Sequence, residues 1–327
     1  MADCPVSIVS AVFNGEKTIA ATLRGILEQD VPLLEVIVID DGSTDNTPQI
    51  VQSFPGIKYF FQPNQGPASA RNKGAELASG EILLFTDSDC IPEPGWVRKI
   101  IPYFADPSVG VSAGSYGIAN PGSILARSIH KEIIYRHTVL MPVYPKVFGS
   151  YNFAIRKNLF RELGGFNTVY RSPSGEDNDL SYKVIQAGYK IYFARDSIVK
   201  HYHPTSLLKY LREQYRHGFW RFKMYQDYPA MMRGDDYTFW KDALEVPVAF
   251  LSFLIFFSFP LHHQIPLLAA AAFCVFLLGL MELYYGFVIT HDIVDGYFFS
   301  LVMWLRAFAR SFGSSSGFLY FSCLKRV

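Results

Sequence analysis

Apolar and polar positions alternate with two periods along the first two thirds of the chain. Val6 to Val12 is a β-rich run, Glu16 to Gln29 places Ile19, Leu23, Ile26 and Leu27 at helical spacing, and Val36 to Ile39 is a second apolar strand. The pattern predicts a short helix over 46–53, a strand over 57–61, a helix over 68–78 and a buried strand over 82–86. Strands alternating with helices make an α/β domain, a mostly parallel sheet with helices on both faces. From Pro121 to Lys146 the period lapses into a stretch rich in Tyr, His and Pro, a loop or partly helical insertion. Regular signals return as a strand over 150–155, helices over 156–163 and 176–186, two short strands ending near His201, and a helix over 206–222.

After Tyr237 the character changes. Val246 to Leu261 carries no charge, His262-His263-Gln264 is a very short linker, and Pro266 to Ile289 is apolar except for Glu282. A membrane span needs about 20 residues, which the first segment reaches when Ala243 and Leu244 join it. The expectation is an α/β domain over 1–237 and a membrane-associated region over 238–327, with a transmembrane hairpin over 243–289. A re-entrant or interfacial pair, or a buried hairpin of a soluble domain, would share the pattern. Arg233 and Lys241 precede the hairpin, Arg306, Arg310, Lys325 and Arg326 follow it, and none lies in the linker, so both ends are expected on the cytoplasmic side of the cell membrane. Tyr297 to Val327 interleaves aromatic residues with Arg306 and Arg310, as an amphipathic helix on the inner membrane surface would.

Composition adds little to this picture. Lys and Arg (30) nearly balance Asp and Glu (29), which removes any charge-based case for a nucleic-acid partner. Cys4, Cys90, Cys274 and Cys323 show no paired spacing, which argues against a disulfide framework or a zinc site and fits a reducing compartment. The N-terminus lacks a basic segment followed by an apolar run, so no cleavable signal peptide is expected and the first domain stays cytoplasmic.

Polar clusters fall at the predicted strand ends, where parallel sheets bind ligands. Asn14 follows the first strand, Asp40-Asp41-Gly42-Ser43 the second, and Asp87-Ser88-Asp89 the strand over 82–86. Two carboxylates around one spacer form a hard-oxygen site for Mg2+ or Mn2+ on a diphosphate, although such a turn also serves for capping alone. Asp40 and Asp41 can accept hydrogen bonds from a base N–H or a ribose hydroxyl, or act only in a turn, and Arg71 can pair with phosphate or with the aspartates. Glu176-Asp177-Asn178-Asp179 opens a helix after a glycine, a good place for a general base on a hydroxyl acceptor or for carboxylates that favour the helix dipole.

Taken in order, Val6-Ser7-Ile8-Val9, Asn14-Gly15-Glu16, Asp40-Asp41-Gly42-Ser43-Thr44-Asp45, Gly66-Pro67-Ala68 through Arg71-Asn72, Asp87-Ser88-Asp89 and Gly175-Glu176-Asp177-Asn178-Asp179-Leu180 resemble the family 2 glycosyltransferases of the GT-A (Rossmann-like) fold. The match runs from about residue 5 to 220 and does not extend to the hairpin. The resemblance implies a GT-A catalytic domain over 1–237 that takes a nucleotide-diphosphate sugar as donor. It implies that Asp41 binds the nucleotide base, with Asn14, Glu16, Arg71, Asp87 and Ser88 also at the donor. Asp87 and Asp89 would be the metal-diphosphate pair, with Asp89 the direct ligand, and His201 or His203, His201 preferred, would complete the metal site. Asp177 would be the base of an inverting displacement, and Glu176 would orient the acceptor. The processive members carry Gln-x-x-Arg-Trp, whereas this chain has Gln214-Tyr215-Arg216-His217-Gly218-Phe219-Trp220, which favours transfer of one sugar.

The expectation is therefore a metal-dependent inverting transferase acting at the membrane on a lipid-linked or glycan acceptor. A polyprenyl-phosphate sugar synthase would share the fold but need no base, and a degenerate nucleotide-sugar-binding scaffold would share the motifs without turnover.

Overall fold

The computed structural model of the chain describes residues 5–171, 174–230, 236, 240–262 and 265–324. The chain forms two compact units, one of Met1–Ala119 with Met141–Tyr202, the other of Asn120–Leu140 with His203–Val327.

The first unit is built on one eight-stranded sheet. Strands β1 (Val6–Val12), β2 (Glu35–Asp40), β3 (Ile57–Phe61) and β4 (Ile82–Thr86) run parallel in the order β3-β2-β1-β4. Every residue of β2 and β4 is buried, as strands covered on both faces must be. Helix α1 (Ile19–Leu27) buries the predicted Ile19, Leu23 and Ile26, and the short α2 (Thr47–Gln52) follows β2. Helix α3 (Pro67–Leu77) lies so close to β1 that a Cβ on Gly74 would sit 2.3 Å from Val9 Cγ1.

Beyond β4 the sheet becomes mixed. Strand β7 (Asn152–Arg156) runs antiparallel to β4 and to β6 (Val109–Ile118), which pairs in parallel with β8 (Lys190–His201). The three-residue β5 (Cys90–Pro92) closes the edge, antiparallel to β8. The two short strands expected before His201 are one strand with a bulge. The register steps from Gly114↔Ala194 to Ser115↔Ile198, so Arg195, Asp196 and Ser197 sit opposite a single step of β6 and break the alternation. Helices α4 (Trp96–Ile100), α6 (Lys157–Glu162) and α7 (Glu176–Gln186) complete this unit.

The described second unit is helical. The stretch left unassigned by its pattern contains α5 (Ile124–Tyr135), opened by the Ser123 hydroxyl accepting from Ala126 N at 3.3 Å, then a π-helical turn over Arg136–Leu140. Helices α8 (Leu207–Asp227), α9 (Trp240–His262), α10 (Ile265–Thr290) and α11 (Ile293–Phe318) follow. Helices α8 and α11 touch backbone to backbone, since a Cβ on Gly313 would lie 2.0 Å from Tyr215 O and one on Gly218 2.2 Å from Arg310 O.

A buried charge network joins α5, α9, α10 and α11. Arg306 reaches both oxygens of Glu132 at 2.6 Å and Glu245 at 3.4 Å, Arg136 bridges Glu132 at 2.6 Å and Asp242 at 2.7 Å, and Lys241 pairs with Glu245 and, at 3.0 Å, with Glu282. These pairs bear on two expectations. Lys241 and Arg306, expected to flank the hairpin, are both buried against carboxylates. The stretch over 297–327, expected to be an amphipathic surface helix, contains most of α11, whose Arg306 is buried.

Among the described residues one helix, Ile265–Thr290, is long and apolar enough to cross a membrane, so the two-span hairpin over 243–289 is seen only in part. Helix α10 leaves Ile265, Phe273, Phe276, Leu277, Leu280 and Tyr284 exposed. The linker residues His263 and Gln264, and the flanking Arg233, Lys325 and Arg326, lie outside the described residues.

Candidate active site

Strands β1, β2 and β4 point the same way, so the polar clusters that follow them share one edge of the sheet. Asn14 adopts φ 52°, a left-handed conformation that asparagine tolerates. Its N–H donates to Ser43 Oγ at 2.9 Å and its Oδ1 accepts from Thr44 N at 2.8 Å. Glu16 Oε2 accepts from Asn46 N and Nδ2 at 3.2 Å, while Glu16 N donates to Asp45 Oδ2 at 3.1 Å. These two residues thus stitch the β1 loop to the entrance of α2.

The two aspartates after β2 face different tasks. Asp40 turns inward and accepts from Ser43 N at 2.8 Å and Tyr59 Oη at 2.9 Å; burial and that carboxylate push the Tyr59 phenol up to about 12. Asp41 shapes the next loop, with Oδ1 accepting from Gln62 Nε2 at 2.6 Å and Gln65 N at 3.0 Å, and Oδ2 from Gly66 N at 2.8 Å. Gly66 sits at φ 93°, and a Cβ there would meet Arg171 O at 2.8 Å, so the loop requires glycine. Its geometry sets the start of α3 and the position of Arg71 one turn later.

Arg71 is the hub of the site. Its buried guanidinium donates to Asp87 Oδ1 at 2.7 Å and to Glu176 Oε1 at 3.0 Å, and lies 5.6 Å from the centre of the Phe166 ring. Burial opposes its charge, but Asp87, Asp177 and Glu176 outweigh burial and raise its pKa. Glu176 Oε2 accepts from Ser174 N at 3.0 Å and Gly175 N at 3.1 Å, which fixes the entrance to α7.

Asp177 comes next on α7, and its Oδ1 is buried with no hydrogen-bond partner among the described residues. Burial first, and then the neighbouring Glu176 carboxylate, push its pKa up to about 7 against the pull of Arg71 and the Ser150 hydroxyl. A carboxyl that ionises near neutrality and keeps an unused oxygen suits a general base. Asp179, by contrast, pairs with Lys183 at 2.7 Å and belongs to the packing of the helix.

The Asp87-Ser88-Asp89 turn divides its carboxylates. Asp87 is held by Arg71, Ser88 O accepts from Thr22 Oγ1 at 3.0 Å, and Asp89 Oδ2 lies 3.3 Å from His201 Nε2. The antiparallel pairing of β5 with β8 sets Cys90 opposite His201 and brings Tyr202 N within 3.0 Å of Asp89 O. Ligand atoms of Asp89, Cys90 and His201 all lie within 4.8 Å of one another. A carboxylate and an imidazole at this spacing fit a divalent cation. Asp87 is outside that group. His203 belongs to the second unit, where it exchanges backbone hydrogen bonds with the Asn120 amide at 2.7 and 3.0 Å. Of the two histidines, His201 is the one beside Asp89.

Three residues around this corner escape a reading by motif. Tyr116 stacks on Tyr151 with ring centres 3.6 Å apart and lies 5.2 Å from the His201 ring. Buried Asn152 accepts from Trp96 Nε1 at 2.7 Å and donates to Ser197 O at 2.9 Å and Ser115 O at 3.2 Å, pinning the bulge that aims the end of β8. No motif signals them, because their roles depend on the pairing of β6, β7 and β8.

Comparison with known proteins bears on the family and the fold. The profile of the family described as "Glycosyl transferase family 2" matches residues 7–173, half of the chain. A pre-mycofactocin glycosyltransferase of Mycobacterium tuberculosis is 29% identical over 226 residues, covering 65% of this chain and 46% of its own length. The glycosyltransferase AglE of Haloferax volcanii is 28% identical over 229 residues, covering 65% of this chain and 71% of its own. The chain spans about half the length of the first of these relatives. Among solved structures, the mannosyltransferase PcManGT of Pyrobaculum calidifontis, in complex with GDP-Man and Mn2+, shares the fold with a TM-score of 0.57 at 20% identity, over 94% of this chain and 86% of that one.

Proposed function

The chain belongs to glycosyl transferase family 2, and from that premise we propose that it moves one sugar from a nucleotide-diphosphate sugar to a hydroxyl of a lipid-linked or glycan acceptor, with inversion. The observation that carries this reading is Asp177, which follows the Arg71-anchored Glu176 and keeps a buried oxygen without a hydrogen-bond partner among the described residues, its pKa pushed up to about 7 by burial and by Glu176. In the reaction the acceptor oxygen attacks the anomeric carbon from the face opposite the diphosphate. The new C–O bond forms as the bond to the diphosphate breaks, and the hydroxyl proton passes to Asp177. Glu176, fixed by Arg71 and two backbone amides, orients the acceptor beside it.

Donor binding falls to the loops that follow β1, β2 and β4. The loop held by Asp41 receives the nucleotide base, and Asn14, Glu16, Arg71, Asp87 and Ser88 shape the remainder of the seat. Asp89 and His201 would hold Mg2+ or Mn2+, with Asp87 alongside. When bound, that ion supplies neutralisation of the diphosphate leaving group. The mannosyltransferase PcManGT, which shares this fold, was solved with GDP-Man and Mn2+.

Membrane attachment rests on α10. At 1.5 Å per residue its 26 residues span about 39 Å, more than the roughly 30 Å of a bilayer core, and it presents large apolar side chains outward. An acceptor presented at the membrane follows from that anchor. The free thiols Cys90 and Cys274 suit a catalytic unit on the cytoplasmic side.

Of the alternatives, a polyprenyl-phosphate sugar synthase would leave the near-neutral Asp177 without a task, and a scaffold would leave the intact acidic cluster without one. A panel of nucleotide sugars, incubated with Mn2+ or Mg2+ and scored for sugar release, tests the proposal. Release from one or two donors supports it; no binding and no release from any donor rejects it.

A further inference from the structure

Resting on the metal-site reading above, we infer that Asp89, Cys90 and His201 form a three-donor site selective for a thiophilic divalent cation, Zn2+ before Mg2+ or Mn2+. The sequence spacing shows no zinc pattern, because the third donor arrives by strand pairing. In an antiparallel ladder, directly opposed residues place their side chains on the same face. Cys90 of β5 is opposite His201 of β8, and Asp89 is the residue just before Cys90. The thiol therefore shares a face with the His201 imidazole, and its Sγ lies 3.8 Å from Asp89 Oδ1.

The Asp89–His201 separation is that of a tetrahedral ion, while Cys90 Sγ approaches the other oxygen of the same carboxylate. With Zn–N and Zn–O near 2.0 to 2.1 Å and Zn–S near 2.3 Å, neighbouring N and O donors should be about 3.4 Å apart and S and O donors about 3.6 Å. Asp89 Oδ2 to His201 Nε2 is 3.3 Å, and Cys90 Sγ to Asp89 Oδ1 is 3.8 Å. Three protein donors leave the fourth position open. The Asp89 side chain is 41% exposed, so an ion can enter although Cys90 is buried.

Hard Mg2+ has no affinity for a thiol and would be held through oxygen and imidazole only. Zn2+ engages all three donors, and the Cys90 proton leaves to solvent as the Zn–S bond forms. The consequence is that Zn2+ displaces the activating cation at low concentration and blocks transfer, a sensitivity set by one residue beside the acidic turn.

The test uses the full chain in detergent and Co2+ as a visible stand-in for Zn2+. Co2+ should produce a near-ultraviolet sulfur-to-metal charge-transfer band that is absent in Cys90→Ser. Zn2+ affinity measured by competition should fall more than about tenfold in that variant, while Mn2+ affinity changes less than about twofold. Mn2+ binding that needs Asp89, together with no charge-transfer band and unchanged Zn2+ affinity in Cys90→Ser, would overturn the inference and leave the metal-site reading standing. Failure of Mn2+, Co2+ and Zn2+ alike to bind would overturn both.

Discussion

Replacing Asp177 by Asn removes the proposed base with almost no change in shape, and the structure fixes what should follow. With its pKa at about 7, Asp177 is ionised in only about one molecule in a hundred at pH 5, so kcat/KM for sugar transfer should fall about a hundredfold from its plateau above pH 8. Glu176 is the principal charged neighbour raising that value, so Glu176→Gln should move the acidic limb to lower pH even as it weakens acceptor orientation. Stability should run the other way. The folded pKa of Asp177 lies above its ordinary 3.8, so the stability it contributes is full below about pH 4 and is lost as pH rises through about 7. Lifting a carboxyl from 3.8 to about 7 corresponds to at most about 4 kcal/mol, so Asp177→Asn should be the more stable protein at pH 8 by up to that amount while losing transfer activity. The assay is initial-rate transfer from pH 5 to 9 at saturating metal, with chemical denaturation of both proteins at pH 8. A flat profile over pH 5 to 8, or full activity in Asp177→Asn, would refute the reasoning, and the second result would favour a phosphate acceptor.

Two further substitutions probe the supports of the site and of the helical unit. Gly66→Ala forces φ 93° on a residue with a Cβ that would meet Arg171 O at 2.8 Å, so it should cost about 1–3 kcal/mol and loosen the loop held by Asp41, seen as a lower denaturation midpoint and weaker nucleotide binding. Arg306→Met leaves Glu132 and Glu245 buried without their shared cation and should destabilise by about 3–5 kcal/mol, read by thermal unfolding in detergent; an unchanged midpoint would show that the buried pairs can relax to solvent.

The parallel half of the fold was legible because β1, β2 and β4 are mostly apolar runs separated by helices with clear periodicity. The acidic residues that gather at one edge were legible for the same reason, since strand ends can be located once the strands are. Strand β6 was not, because Gly110, Gly114 and Gly117 dilute its apolar signal, and β5 is three residues long. The bulge in β8 split one strand into two in the pattern. Helix α11 shows the limit of local reading most clearly. Its arginines have the spacing of an interfacial helix, yet Arg306 is buried because Glu132 and Glu245 arrive from α5 and α9, partners that no local pattern contains. The same holds for Cys90 and His201, neighbours only by pairing across the sheet edge.

The central claim is that a divalent cation held at Asp89 joins this site to the diphosphate of a nucleotide-sugar donor. Calorimetric titration of the full chain with UDP and with GDP, in Mn2+ and then in excess EDTA, alongside Asp89→Ala, tests it most directly. The account predicts binding of at least one nucleotide in Mn2+ that is lost in EDTA and in Asp89→Ala. Equal affinity with and without the cation, unchanged in Asp89→Ala, would contradict it.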